Sequence, residues 1–311
     1  MLLLAVFAVL SSGCASFPDN VRSLPTEAES VELRSTPFFP QDRYQCGPAA
    51  LATILASSGV DVSVDDLVAR VYLPDRKGSL QVELLAATRT SGRIAYIVDG
   101  TLASLYAELA HGRPVLVLQN LGVSALPRWH YAVVVGIDSE AEQIFLRSGT
   151  DERRTTSIRT FLHTWRRGNY WAMVALQPGE LPANAERSRY VMAAAAFEQV
   201  GQDAATTSIW LAARDRWPAD SLVLLGLANA HYASDEYAEA KSVLYDILEI
   251  DADNHIARNN LAMVFINEKN FDAALQQVDR ALRTVVDGDV KAELLRTRES
   301  ALAELESSAH N

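Results

Sequence analysis

Gln41 to Leu55 reads Q-D-R-Y-Q-C-G-P-A-A-L-A-T-I-L. Gly47 and Pro48 stand directly before A-A-L-A-T-I-L, and this order marks a helix opening. Proline is tolerated in the first turn, where its missing N–H forfeits no bond, and Ala and Leu propagate a helix well. Cys46 is therefore expected at a helix N-terminus, where free N–H groups and the helix dipole favour thiolate, the nucleophilic form. A cysteine within a buried helix face would be inert packing. Its position at the start points instead to a reactive thiol.

A nucleophilic thiol needs a base. Downstream, His111 sits in the turn A-H-G-R-P and reads as a surface residue. His163 lies in T-F-L-H-T-W-R-R, an amphipathic stretch where packing or solvation accounts for it. His130 opens H-Y-A-V-V-V-G-I-D, a Val-rich run with the character of a central strand. Arg113 to Gln119 reads as another strand, and Asn120 to Trp129 links the two. A histidine at the mouth of a buried strand is placed to meet a cysteine at a helix start.

The pairing of Q-C-G-P-A-A-L-A with W-H-Y-A-V-V-V-G resembles the bacteriocin-processing cysteine peptidases, the double-glycine leader peptidases of the papain-like superfamily and their stand-alone relatives. The resemblance runs over roughly residues 36–178. It implies a papain-like α+β fold with helices beside an antiparallel sheet and the active site between them. Carried over by position, Cys46 is the nucleophile and His130 its general base, later the acid for the leaving amine. A glutamine upstream of the cysteine donates to the oxyanion in such enzymes, together with the cysteine's own N–H. Gln41 is preferred for that part, and Gln45, adjacent to Cys46, is the alternative.

The third triad position departs from the family pattern. Relatives carry an Asp on the next strand, often as Asp-Pro, whereas Gln143 to Gly149 reads Q-I-F-L-R-S-G, with Ser148 in the Asp place. A hydroxyl can fix the imidazole tautomer, but it does not stabilise imidazolium as a carboxylate does. Asp151 is the alternative orienting group. Asp138 is excluded, because eight strand residues at ~3.3 Å each put it about 25 Å away.

Between these motifs, V-S-V-D-D-L-V-A-R-V reads as a helix capped by Ser63, with Asp66 completing a capping-box-like start. Residues 79–92 read as a helix, 93–98 as a short strand, and 159–171 as a helix and turn before the strand A-M-V-A-L. Phe161, Trp165, Tyr170 and Trp171 are expected in the core.

Beyond Pro178 the texture becomes Ala-rich and helical. Residues 221–254 and 255–288 align without gaps over 34 positions: Leu227 with Leu261, Ala228 with Ala262, Tyr237 with Phe271, Ala240 with Ala274, and Leu248 with Leu282. This is the tetratricopeptide period, and residues 187–220 form a degenerate first repeat. An all-α solenoid over 183–311 is expected, with Lys291 to Glu306 as its charged cap. Trp210, Tyr232, Asn229, Asn259 and Asn260 are candidates to line a groove for a protein partner.

The two halves also differ in charge. Residues 1–178 carry 16 Lys+Arg against 17 Asp+Glu, and residues 179–311 carry 12 against 22. An acidic array and a near-neutral domain argue against nucleic acid as a partner, because phosphate binding needs clustered cations. Neither H-E-x-x-H nor paired ligands occur, so no metal and no cofactor are expected.

Residues 1–13 have the apolar run and small residues of a signal peptide, too short to remain as a transmembrane helix. S-S-G-C resembles a bacterial lipobox in which Cys14 is lipidated, although no basic residue precedes the run and Ser11 stands where Leu is usual. Residues 14–35 would then be a tether, and the protein a lipoprotein of the bacterial envelope facing the periplasm or exterior. The composite expectation is a lipid-anchored cysteine peptidase acting on a peptide or protein substrate. A scaffold working through its repeats is one alternative, and a thiol acyltransferase or amidase using the same dyad is another.

Overall fold

The structure, a computed structural model, describes residues 17–41, 45–201 and 203–309; Cys14 and the signal-like run lie outside the described residues. The N-terminal domain is built on an antiparallel sheet. Its strands are β1 (Val31–Glu32), β2 (Ile94–Ile97), β3 (Val115–Asn120), β4 (Trp129–Asp138), β5 (Gln143–Ser148), β6 (Asp151–Ser157) and β7 (Ala172–Leu176). They lie in the order β2-β7-β3-β4-β5-β6, with β1 added beside β4. Antiparallel sheets often leave one face in water, and their strands then alternate apolar with polar residues. Here both faces are covered, which explains the unbroken apolar runs of β3 and β4.

Among the described residues, six α-helices complete the domain: α1 (Asp19–Arg22), α2 (Cys46–Ser57), α3 (Val64–Val71), α4 (Gln81–Thr90), α5 (Leu102–Ala110) and α6 (Ile158–Arg166). Leu116, Leu118, Tyr131, Val133, Val135 and Met173 face α2, α3 and α4, meeting Leu51, Ile54, Leu55, Leu67 and Leu84. Val115, Val117, Ala132, Val134 and Val174 face the other way, toward Leu105 and Leu109 of α5 and Phe161 and Trp165 of α6. Side chains along a strand point alternately to the two faces, so one strand feeds both layers. Phe161 and Trp165 are buried as expected, while Tyr170 and Trp171 are only partly so.

Two expectations change, and one strand is added that the sequence did not announce. The tether over residues 14–35 is in part folded: Val21 is buried, and Val31 and Glu32 pair with Ile137 and Gly136. A Cβ on Gly136 would lie 2.6 Å from the Val31 carbonyl, so the glycine makes room for this strand. Ser63 stands at the N-cap of α3, yet its side chain caps no N–H, and the capping box does not form. The run D-E-R-R-T-T-S is an edge strand, β6, that lacks any apolar alternation. It is held by pairing to β5, by the Arg153–Glu32 ion pair at 2.6 Å and by Arg153 over the Phe145 ring.

The C-terminal region consists of α7 (Arg187–Glu198), α8 (Asp203–Arg216), α9 (Ser221–Ala233), α10 (Tyr237–Ile250), α11 (His255–Asn267), α12 (Phe271–Thr284) and α13 (Gly288–Ala309). The 34-residue period recurs in its caps. Glu186, Asp220 and Asn254 each precede the first helix of a pair, and each accepts from N–H groups of that helix's first turn. Such caps satisfy donors that have no intrahelical partner, each contributing about 1 kcal/mol. Leu294, Thr297 and Ala301 turn one face of α13 onto the array.

The two regions meet tightly. Tyr96 and Val98 belong to the same buried cluster as Tyr190, Ala194 and Phe197 of α7. Glu186 N–H donates to the Tyr96 hydroxyl at 3.3 Å, and Arg189 pairs with Asp99 at 2.5 Å. Glu108, on α5, is 1% exposed and uses both carboxylate oxygens, accepting from Arg113 Nε at 2.6 Å and from Ala183 N–H at 2.8 Å.

Candidate active site

The thiol sits where the sequence places it. Cys46 is the first residue of α2, with Gln45 at the N-cap making no side-chain cap bond. Gly47 follows because the helix start runs hard against Ser79, whose Oγ would lie 2.4 Å from a Cβ there. The Tyr131 hydroxyl donates to the Ser79 carbonyl at 3.3 Å, tying β4 to this corner. Cys46 lines a narrow cleft with Phe38, Phe39, Gln41, Tyr131, Arg147, Ser148 and Gly149.

His130 lies near the start of β4, paired with Gln119 of β3. Its Nε2 is 2.8 Å from Ser148 Oγ, and Ser148 itself is buried. Ser148 thus bridges the site, lining the cleft beside Cys46 and holding the imidazole. Cys46 and His130 make no hydrogen bond to one another among the described residues. Tyr131, the residue after His130, lines the cleft beside Cys46. Gln41 is fixed by its own N–H donating to the Gly149 carbonyl at 3.3 Å, and it lines the same cleft. Asp151 lies across the hairpin from Ser148, exposed to solvent, and makes no bond to His130.

The remaining histidines stand apart. His111 shares its Nδ1 with the Ala107 carbonyl at the exposed end of α5. His163 packs edge-on against Phe17. Asp138, at the far end of β4, accepts from Ser30, Glu140 and Ala141.

Comparison with known proteins gives the same reading of this region. Residues 33–173 match the Peptidase_C39 like family, and residues 232–294 match the tetratricopeptide repeat. Residues 33–173 form a Peptidase C39-like domain. Tetratricopeptide repeats follow it. No curated protein matches the chain. Among solved structures, a C39-like peptidase from Bacillus anthracis is similar at 16% identity and a TM-score of 0.40, covering 48% of this chain and 98% of that one. The TPR2B domain of yeast Sti1 in complex with an Hsp70 peptide is similar at 17% identity and a TM-score of 0.36, covering 38% and 97%. The Yersinia enterocolitica chaperone SycD with a YopD peptide is similar at 16% and 0.36, covering 39% and 93%.

Within the C39-like domain, burial sets the charge state of the site. Desolvation pushes the Cys46 thiol up, against the lowering effect of backbone N–H groups from Tyr131, Gly47 and Cys46 itself. Desolvation likewise lowers His130 to about 4, with the Arg154 and Arg128 guanidiniums adding to it. Both shifts favour a neutral thiol beside a neutral imidazole over a preformed thiolate–imidazolium pair. In the tautomer whose Nε2–H donates to Ser148 Oγ, the Nδ1 lone pair is left to take a proton. Among the described residues no group of His, Cys, Asp and Glu is arranged to hold a metal ion.

Sequence reasoning missed three of the residues that line the cleft. Phe38 and Phe39 line it from the segment entering the domain, and Arg147 closes it from β5, donating to the Thr36 and Arg34 carbonyls. The adjacent aromatics in T-P-F-F-P were the available signal for the first pair.

On the repeats, Asn229, Tyr232, Asn259 and Asn260 line a groove with Met263 and Glu293. Trp210 does not join them. It is 2% exposed and packs so closely over Gly226 that a Cβ there would lie 2.5 Å from its ring.

Proposed function

We propose that the protein is a thiol peptidase anchored at the bacterial cell envelope. The observation that carries the catalytic part is Ser148. Its hydroxyl holds His130 Nε2 at 2.8 Å while lining the cleft that contains Cys46 and Gln41. In this reading Cys46 Sγ attacks the peptide carbonyl carbon as its proton passes to His130 Nδ1. The carbonyl electron pair moves to oxygen, where Gln41 Nε2 and the Cys46 N–H stabilise it. Collapse expels the amine, which takes the proton from His130, and water then hydrolyses the thioester with His130 again as base. Catalytic hydrogen bonds often tighten only when substrate is bound, and closure of Cys46 onto His130 belongs to that step.

The repeats recruit a protein substrate or partner through the groove at Asn229 and Asn260. Anchoring rests on S-S-G-C: Cys14 carries the lipid and the domain faces the periplasm or exterior. Mass spectrometry of the processed N-terminus, with Cys14→Ser as control, tests it.

A second reading is favoured by one observation, the missing carboxylate beside an imidazole lowered to about 4. In it the domain binds rather than cleaves, and the repeats do the work. Reaction with a thiol-directed electrophile separates the two readings. A peptidase requires Cys46 to react faster with a peptidyl electrophile that fills the cleft than with a small one, and to slow in His130→Ala. Equal rates exclude the enzyme.

A further inference from the structure

The connection between β3 and β4 carries a concentration of exposed apolar surface that the catalytic reading leaves unused. Val123, Leu126 and Trp129 are 63%, 75% and 57% exposed, three large apolar side chains within seven residues. The tip is specified rather than loose. Asn120 Oδ1 accepts from the N–H groups of Gly122 and Arg128, Leu121 N–H donates to the Arg128 carbonyl, and Leu126 N–H donates to the Val123 carbonyl. A Cβ on Gly122 would lie 2.2 Å from the Leu126 carbonyl oxygen. The Arg167 guanidinium clamps the Asn120 carbonyl from below at 2.9 and 3.1 Å. A fold that holds three apolar side chains in water on an ordered hairpin marks a contact surface.

Charge and chain direction identify the occupant. Leu121 to Trp129 contains Arg128 and no acidic residue, in a chain of net charge −11. Arg166 and Arg167 end α6 beneath it. Phe17 packs on His163 at 4.6 Å and lies under Arg166 at 5.4 Å, so the described chain begins on this same end of α6. Cys14 precedes Phe17 by three residues in the sequence. We infer that the Leu121–Trp129 hairpin is a second membrane contact: Val123, Leu126 and Trp129 enter an anionic lipid surface while Arg128 and Arg166 meet its headgroups. Aromatic and basic residues suit this interface. The inference rests on the anchored reading and extends it. A lipid on a short stem fixes distance but not orientation, and a second contact fixes orientation. His130 follows Trp129 directly, so the bound pose sets the mouth of the cleft at the membrane.

The test places an environment-sensitive fluorophore on Leu126→Cys in the full chain carrying Cys14→Ser and Cys46→Ala. A matched chain is labelled instead at Met192→Cys, an exposed position on α7. Vesicles of phosphatidylglycerol and phosphatidylcholine in equal parts are compared with phosphatidylcholine alone. The expected result is a blue shift and several-fold brightening at position 126 with anionic vesicles and none at position 192. Protein that pellets with vesicles while position 126 keeps its aqueous emission overturns the inference, because the N-terminal run alone then binds. Failure to pellet overturns it as well. A shift produced by soluble peptide without vesicles overturns it in favour of a substrate lip. Neither acylation nor catalysis enters the readout, so failure of those readings remains separate.

Discussion

The C39-like domain and the repeat array solve opposite problems. In the domain, Cys46, His130 and Ser148 come from positions spread over about a hundred residues, on α2, β4 and β5, and the packing of α2 on the sheet and the pairing of β4 with β5 bring those elements together. In the array each helix leans on the next, and the same devices return every 34 residues. A site built from distant segments has no spare copy of any part. An array is a sum of similar terms, and losing one weakens it by a share. On the peptidase reading, single substitutions are therefore expected to be all-or-none for chemistry in the first region and incremental for stability in the second.

The sharpest break is Cys46→Ala. Peptide hydrolysis is expected to fall by at least about a thousandfold, near 4 kcal/mol of barrier, while thermal unfolding of both regions stays where it was; steady-state rates and calorimetry check this together. Arg113→Met strands the buried Glu108 carboxylate at the joint and is expected to cost about 3–5 kcal/mol. Chemical denaturation then shows two transitions where the parent chain shows one.

The third effect is on pH. His130 titrates near 4 when folded and near 6.5 when unfolded, so the unfolded chain takes up the proton first as pH falls. Its contribution to stability is whole above about 6.5 and is lost between there and about 4, amounting to about 3 kcal/mol. His130→Gln flattens that interval of the stability curve. On the peptidase reading proposed above, activity is expected to persist above about 4 and to disappear as pH falls through it.

Ser148→Asp sharpens the contrast from the other side. A carboxylate on Nε2 raises the imidazole pKa by about 1–3 units, moves the acid limb of the rate profile upward, and increases the rate at neutral pH about tenfold or more. A smaller effect is expected at Asp220→Ala, which removes one cap of the period. About 1 kcal/mol is lost from the array, and hydrogen exchange rises at the start of α9 while the C39-like domain keeps its protection.

The sequence was most legible where one residue type had one physical meaning. G-P-A-A-L-A fixed the start of α2, and the small and large residues at 34-residue spacing marked the paired helices. β6 escaped because D-E-R-R-T-T-S is exposed on an edge, and its pairing to β5 leaves no apolar trace. The ordered part of residues 14–35 escaped because the decisive contact is a carbonyl fitted against Gly136, a feature of the partner strand. Trp210 was misplaced in the groove for the same reason: Gly226, one turn into another helix, is what lets it bury. Spacing alone left Gln41 and Gln45 both open as oxyanion donors. In the structure Gln41 is tied to Gly149 within the cleft, and Gln45 occupies the N-cap of α2.

The packing of α7 against β2 has a structural corollary. β2 ends the sheet, and a terminal strand invites pairing with another chain. The first helix of a repeat array likewise exposes the surface that a preceding repeat would have covered, and arrays ordinarily need a polar terminal unit there. Here the terminal strand and the first helix of the array pack on one another, through Tyr96 and Val98 on one side and Tyr190 and Phe197 on the other. Cutting the chain between the two regions would leave two sticky fragments rather than two independent modules, so solubility on separation becomes a property of the joint.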